Sequence, residues 1–133
     1  GWKGEDTLYG GDGNDIIMGE QDNNTLYGGD DAELFHFHAD KANSSKFDTV
    51  MDFNLDEGDV LSLTSVIDGF SSGDNIADYV RISFDGNDAV IQVNSDGSGS
   101  DFHNVARIES HSGLDAKTLN VQDLFDQGHI DVY

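Results

Sequence analysis

Four side chains able to offer an oxygen recur every nine residues near the start of the chain: Asp6, Asp15, Asn24 and Glu33. Each stands sixth in a nine-residue line that opens on glycine, GWKGEDTLY, GGDGNDIIM, GEQDNNTLY and GGDDAELFH. Two places later each line carries one large apolar residue: Leu8, Ile17, Leu26 or Phe35. Carboxylate and amide oxygens at a fixed interval are the donors of a hard cation, and Ca²⁺ takes about six to eight of them. A merely solvated acidic loop needs no such register. These residues point to ion binding rather than bond making.

Such donors need elements that bring distant lines together. The first six residues of each line are rich in Gly, Asp and Asn and suit a turn with left-handed backbone, as the fourth-place residues Gly4, Gly13, Asp22 and Asp31 illustrate. The last three residues suit a short strand. Two lines then complete one coil, and the eighth-place residues pile inward as an apolar ladder. Turns on each flank bring backbone carbonyls and carboxylates of successive coils into one cage.

Residues 10–18 satisfy every constrained place of the nonapeptide G-G-x-G-x-D-x-U-x, and the lines resemble the RTX repeats. The other three lines depart from it: Trp2 and Glu20 replace the second Gly, Asp22 and Asp31 the fourth, and Asn24 and Glu33 the Asp. The resemblance implies a right-handed parallel β-roll loaded with Ca²⁺, each ion lying between a line and the line two further on. Carried over place by place, it implies one ion among Trp2, Gly4, Asp6, Gly19, Gln21 and Asn24. It implies a second among Gly11, Gly13, Asp15, Gly28, Asp30 and Glu33, the stronger set because it holds two carboxylates.

From Leu34 onward the period is lost. Phe35 and Phe37 alternate with His36 and His38 as in a half-buried strand, and residues 39–47 read as a polar loop. Residues 48–53 and 58–63 read as two short strands joined by an acidic turn. A last repeat running into Phe-x-Phe, then D-T-x-x-D-F-N and E-G-D-V-L-x-L, resembles the C-terminal module of type I secreted RTX adhesins. That resemblance implies that Asp52 and Asp59 close a last calcium site with Glu33 and the carbonyls of Gly29 and Asp31. Further on, residues 74–78 suggest a helical turn, 79–94 a β-hairpin, 104–109 a strand, and Asn120 the cap of a short helix ending at Gly128. Residues 129–133 close as a strand, and this tail resembles the region that the export machinery reads.

Other chemistries are weighed against these. Residues 69–73, GFSSG, satisfy the G-x-S-x-G expression, but the nucleophile elbow requires a long strand and a large α/β sheet that 133 residues cannot supply around Ser71. His36 and His38 could hold zinc if His103 or an acid joined them, but nothing in the sequence supplies a third ligand and paired surface histidines are the preferred reading. Asn94, Asp96, Ser98 and Gly99 sit at the spacing of an EF-hand loop whose twelfth place is Val105, so the bidentate Glu is missing. Adjacent acids could suggest a glycosidase pair, yet no cleft is evident. The expectation is a non-enzymatic chain.

Composition narrows the partners. The chain holds 27 Asp plus Glu against 6 Lys plus Arg, a formal charge of -21. Such a chain repels polyanions, which excludes nucleic acid and disfavours anionic membranes. There is no cysteine and no proline, so neither disulfide formation nor proline isomerisation slows folding. No apolar run approaches the roughly 18 residues needed to span a bilayer, so no membrane insertion is expected. The chain does not start on Met, and the expectation is a piece of something longer. The fold class expected is all-β: a short right-handed parallel β-roll over 1–38, continuing into a β-rich part over 39–133 with one or two short helices, the two forming one structural unit.

The function expected is that of a calcium-binding C-terminal RTX module of a large secreted bacterial adhesin, extracellular or at the cell surface. It would be unfolded in low calcium for passage through the type I secretion machinery and folded outside by Ca²⁺. The alternative is a calcium-binding accessory module of a secreted enzyme such as a protease, lipase or alginate epimerase, and a third reading is a module that grips a glycan through bridging calcium. Upstream repeats of the parent protein are a possible contact.

Overall fold

The computed structural model describes residues 4–19, 22–37, 47–67, 69–71, 73–94, 97, 102–111 and 114–132. Trp2, Gln21, His38 and the 95–101 loop apart from Gly97 lie outside these, so the expectations that fall on them are not addressed. The first six strands alternate between two sheets. The first holds β1 (Thr7–Asp12), β3 (Thr25–Asp30), β5 (Asp48–Val50), β7 (Val80–Asp85), β8 (Asp88–Val93) and β9 (His103–Ile108), in the spatial order β1-β3-β5-β9-β8-β7. The second holds β2 (Ile16–Met18), β4 (Leu34–His36), β6 (Val60–Ser62) and β10 (Ile130–Asp131), in the order β10-β6-β4-β2.

Register follows the repeat. Leu8 pairs with Leu26, Leu26 with Val50 and Val50 with Ile108, all parallel. In the second sheet Ile17 pairs with Phe35, Phe35 with Leu61 and Leu61 with Ile130, again parallel. These eighth-place residues are the spine of the core: Leu26, Val50, Ile108, Phe35 and Leu61 are fully buried. Burying each such side chain contributes roughly 1.5–3 kcal/mol. On the outer surface the ninth-place Tyr9 and Tyr27 stack with ring centroids 4.7 Å apart.

Residues 48–63 do form two short strands around an acidic turn, but the strands never pair with each other. β5 adds to β3 and β6 adds to β4, so this segment is a third coil of the roll. The repeat was hidden because its length changes: coil-to-coil hydrogen bonds span 18 residues between the first two coils but 24 and 26 between the second and third. β9 and β10 then supply a fourth coil.

Between the third and fourth coils the chain leaves the roll. A 3-10 turn (Ile76–Asp78) leads into the expected hairpin β7–β8, which turns at Gly86 and Asn87 and pairs antiparallel with β9. A second 3-10 turn (Ala116–Thr118) precedes helix α1 (Val121–Asp126). Asn120 caps α1 by accepting the Asp123 N–H at 3.1 Å, and Leu124 is buried while Val121 and Phe125 pack at the edge of the core. No helix among the described residues is long and apolar enough to cross a membrane.

Candidate metal sites

The fourth place of every line is left-handed, whichever residue occupies it: φ is +102° at Gly4, +94° at Gly13, +68° at Asp22 and +82° at Asp31. The two Asp departures hold this shape and add a bond, since Asp22 Oδ2 accepts the Gly4 N–H at 2.8 Å and Asp31 Oδ2 accepts the Gly13 N–H at 3.2 Å. Coils also approach backbone on backbone. A Cβ on Gly29 would strike the Gly11 carbonyl, and one on Gly10 would strike the Gly28 carbonyl. Glycine at these places is therefore a condition for carbonyls of adjacent coils to meet.

Sixth-place residues stack in two columns, one per flank. On the first flank, the Asp6 N–H donates to Asn24 Oδ1 at 2.9 Å and the Asn24 N–H donates to Asp48 Oδ1 at 3.0 Å. On the second, the Glu33 N–H donates to Asp59 Oδ1 at 2.9 Å, with Asp15 one coil above. Asp52, two residues beyond Val50, accepts the Gly28 and Gly29 N–H groups at 2.7 and 3.0 Å. Each column thus strings side-chain oxygens between coils.

Several oxygens in the turns have no hydrogen bond although they are buried: Asp15 Oδ2, both carboxylate oxygens of Glu33, and Glu57 Oε2. Glu33 is 2% exposed. A buried ionised carboxylate without a donor costs several kcal/mol unless a cation faces it. Burial first, then the charge of Asp59 and the close approach of its carboxyl, then the charges of Glu57 and Asp52, push the Glu33 carboxyl up to about 7. Asp59 is also raised, chiefly by burial, against the backbone N–H groups of Glu33 and Asn54 that favour its ionised form. The site is short of positive charge.

Among the described residues no three Asp, Glu or His side chains converge as a cluster. The RTX pattern does not need one, because two side chains and four carbonyls make a set. Of the first expected set, Gly4, Asp6, Gly19 and Asn24 lie on one flank of adjacent coils. There the Asn24 Nδ2 donates to the Gly19 carbonyl at 2.8 Å and to Asp48 Oδ1 at 3.0 Å, so an amide already meets part of this set. The second set, Gly11, Gly13, Asp15, Gly28, Asp30 and Glu33, lies on the other flank with its carboxylates unsatisfied. Gly29 and Asp31 stand in the same coil as Gly28, Asp30 and Glu33, and Asp52 and Asp59 lie one coil beneath on the same flank. The donors present fit a hard, oxygen-loving cation.

Sequence reading missed Asp48, which is fully buried. The signal was present: Asp48-Thr49-Val50 repeats the sixth to eighth places of Asp6-Thr7-Leu8, displaced by the long 37–47 connection. The rival sites look structural. Ser71 donates its hydroxyl to Asp74 Oδ2 at 3.2 Å in a local turn, and among the described residues no strand leads into it. His36 holds hydroxyls on both ring nitrogens, Ser62 at 3.1 Å and Ser65 at 3.0 Å.

Among curated proteins no sequence match is found. The fold is similar to a solution structure of a subunit of the Azotobacter vinelandii mannuronan C5-epimerase, with a TM-score of 0.60 and 22% identity, covering 93% of this chain and 66% of that one. The chain therefore spans just under two thirds of that structure's length. Residues 3–33 match the RTX calcium-binding nonapeptide repeat in four copies. The turns over residues 3–33 that align the first of these oxygens thus match RTX nonapeptide repeats, and the ion that such repeats bind is calcium.

Proposed function

We propose that this chain is a calcium-gated folding module, the C-terminal RTX part of a large secreted bacterial adhesin that passes unfolded through the type I secretion machinery. The observation that carries the reading is the buried, unsatisfied oxygens of Asp15 (Oδ2) and Glu33 (both carboxylate oxygens) within a chain of net charge -21. Calcium supplies the positive charge these turns lack. The ligands are Gly4, Asp6, Gly19 and Asn24 on one flank and Gly11, Gly13, Asp15, Gly28, Asp30 and Glu33 on the other, with Gly29 and Asp31 in the same coil, Asp52 and Asp59 one coil below and Asp48 added. An ion held by the folded chain and not by the unfolded one stabilises the fold by linkage. In the low calcium of the cytosol the chain stays extended and threadable; outside the cell it folds. The parts 1–38 and 39–133 act as one unit, a reading supported by β9 and β10 extending the sheets begun by the repeats.

The second reading is an accessory module of a secreted enzyme, favoured by the likeness in fold to an epimerase subunit over 93% of this chain. Upstream sequence discriminates between them, since an adhesin carries repeated sandwich domains and an enzyme a catalytic signature. The gating itself is tested by far-UV circular dichroism during a Ca²⁺ titration after chelator treatment, with Mg²⁺ as control. A cooperative gain of β signal with calcium alone is expected. A well-folded, cooperative chain in excess chelator sinks the proposal.

A further inference from the structure

Sixth-place carbonyls follow one rule down the roll. Asp6 O accepts from Thr25 N–H at 2.8 Å, Asp15 O from Leu34 N–H at 2.9 Å, Asn24 O from Thr49 N–H at 2.8 Å and Glu33 O from Val60 N–H at 2.8 Å. The next step on the second flank breaks it. Leu61 pairs with Ile130, so His129 is the residue whose N–H should reach Asp59 O. Instead the His129 N–H donates to the Leu124 carbonyl at 2.8 Å, where α1 ends. Asp59 O is met by the His129 ring, whose Nδ1 lies 2.8 Å away.

A second ring does the same nearby. Continuing the register of Leu26 with Val50 places Phe53 in line with Gly29 and Gly11, whose second-place carbonyls the calcium reading assigns to ions in the coils above. The Phe53 carbonyl faces His111 Nε2 at 2.8 Å. A carbonyl only accepts, so each ring carries a proton on the named nitrogen. The fourth coil also offers no oxygen-bearing side chain in either column. Ala106 pairs with Asp48, and on the other flank the same register sets Gly128 against Asp59.

Resting on the calcium reading above, we propose that His111 and His129 terminate the ion ladder and are positioning residues for its last site. Two fixed ring N–H groups stand where, one coil higher, a cation and a backbone N–H would stand. They close the lower face of the 51–59 turn and hold Asp52 and Asp59 toward Glu33. The edge of Phe53 against the His129 ring, centroids 6.5 Å apart, keeps that ring in place.

The test compares two double variants of the whole chain by calorimetric calcium titration and by Tm in saturating calcium. His111→Phe with His129→Phe keeps ring volume and removes both donors. His111→Gln with His129→Asn returns an amide N–H near each lost ring N–H. The Phe chain is expected to bind the same number of ions with one step weakened about tenfold, and the Gln/Asn chain to stay within about twofold of the native affinity. Unchanged affinities in the Phe chain, or an equal loss in the Gln/Asn chain, overturn the proposal. Should the Phe chain fail to fold in saturating calcium, the Gln/Asn chain decides: kept affinity supports the proposal and a tenfold loss overturns it. Absence of calcium uptake by the native chain would instead defeat the underlying calcium reading, and the inference with it.

Discussion

Acidifying the calcium-free protein is expected to drive it toward the fold, the opposite of ordinary acid unfolding. Glu33 is the reason. Its ordinary value of 4.5 rises to about 7 in the fold, because it is buried and faces Asp59, Glu57 and Asp52. A carboxyl raised on folding contributes stability that is fully present below its unfolded value and is lost as pH climbs through its folded value. Between pH 8 and pH 5 the gain from this one group is roughly 2–3 kcal/mol. Asp59 adds in the same direction. The gain ends in more acidic buffer, where Asp88, held low by the Ser110 N–H and then by Arg107, must protonate and oppose it. The assay is the far-UV circular dichroism of the calcium-depleted chain, read as its folded β signal at several pH values, with Glu33→Gln alongside. That variant should already be more stable at pH 8 and show a shallower slope, which separates Glu33 from the general relief of like-charge repulsion. A native profile that is flat or falls on acidification, or a variant indistinguishable from it, refutes the reasoning.

Two further substitutions probe the turns. Asn24→Asp replaces an amide that donates to Gly19 and Asp48 with a second carboxylate against Asp48. The calcium-free fold should be about 2 kcal/mol less favourable, read as a lower β signal of the calcium-free chain at pH 5, while calcium affinity should rise severalfold by calorimetric titration. Gly29→Ala drives a methyl group into the Gly11 carbonyl, whereas Gly13→Ala at a similar positive φ meets nothing within 4 Å. In saturating calcium the first should lose well over 2 kcal/mol and the second about 1 kcal/mol, and equal Tm losses would show that coil spacing is not what fixes Gly29.

The eighth-place ladder was legible because its spacing of nine is constant through Phe35. Asp52 and Asp59 could be singled out only through a resemblance, and Asp48 was not found at all. The cause is the same in each case. Insertions in the turns change the distance between coils, whereas side-chain register depends on the three residues that enter each strand. Asp48-Thr49-Val50 and Asp59-Val60-Leu61 keep that triplet while the fixed period fails. The parallel pairing of β5 with β9 lies further from view, since the hairpin and its flanking loops separate them and no local pattern announces a return to the same sheet. The hairpin itself was readable from alternation and its Gly-Asn turn, and α1 from its Asn120 cap.

The third coil accepts longer connections than the first two without losing a rung. The triplet is thus a docking code and the turn a socket: foreign segments are received between strands while the parallel register holds. The 79–94 hairpin is one such guest, housed between the third coil and the fourth. A scaffold of this kind can change its surface while leaving its ion chemistry untouched.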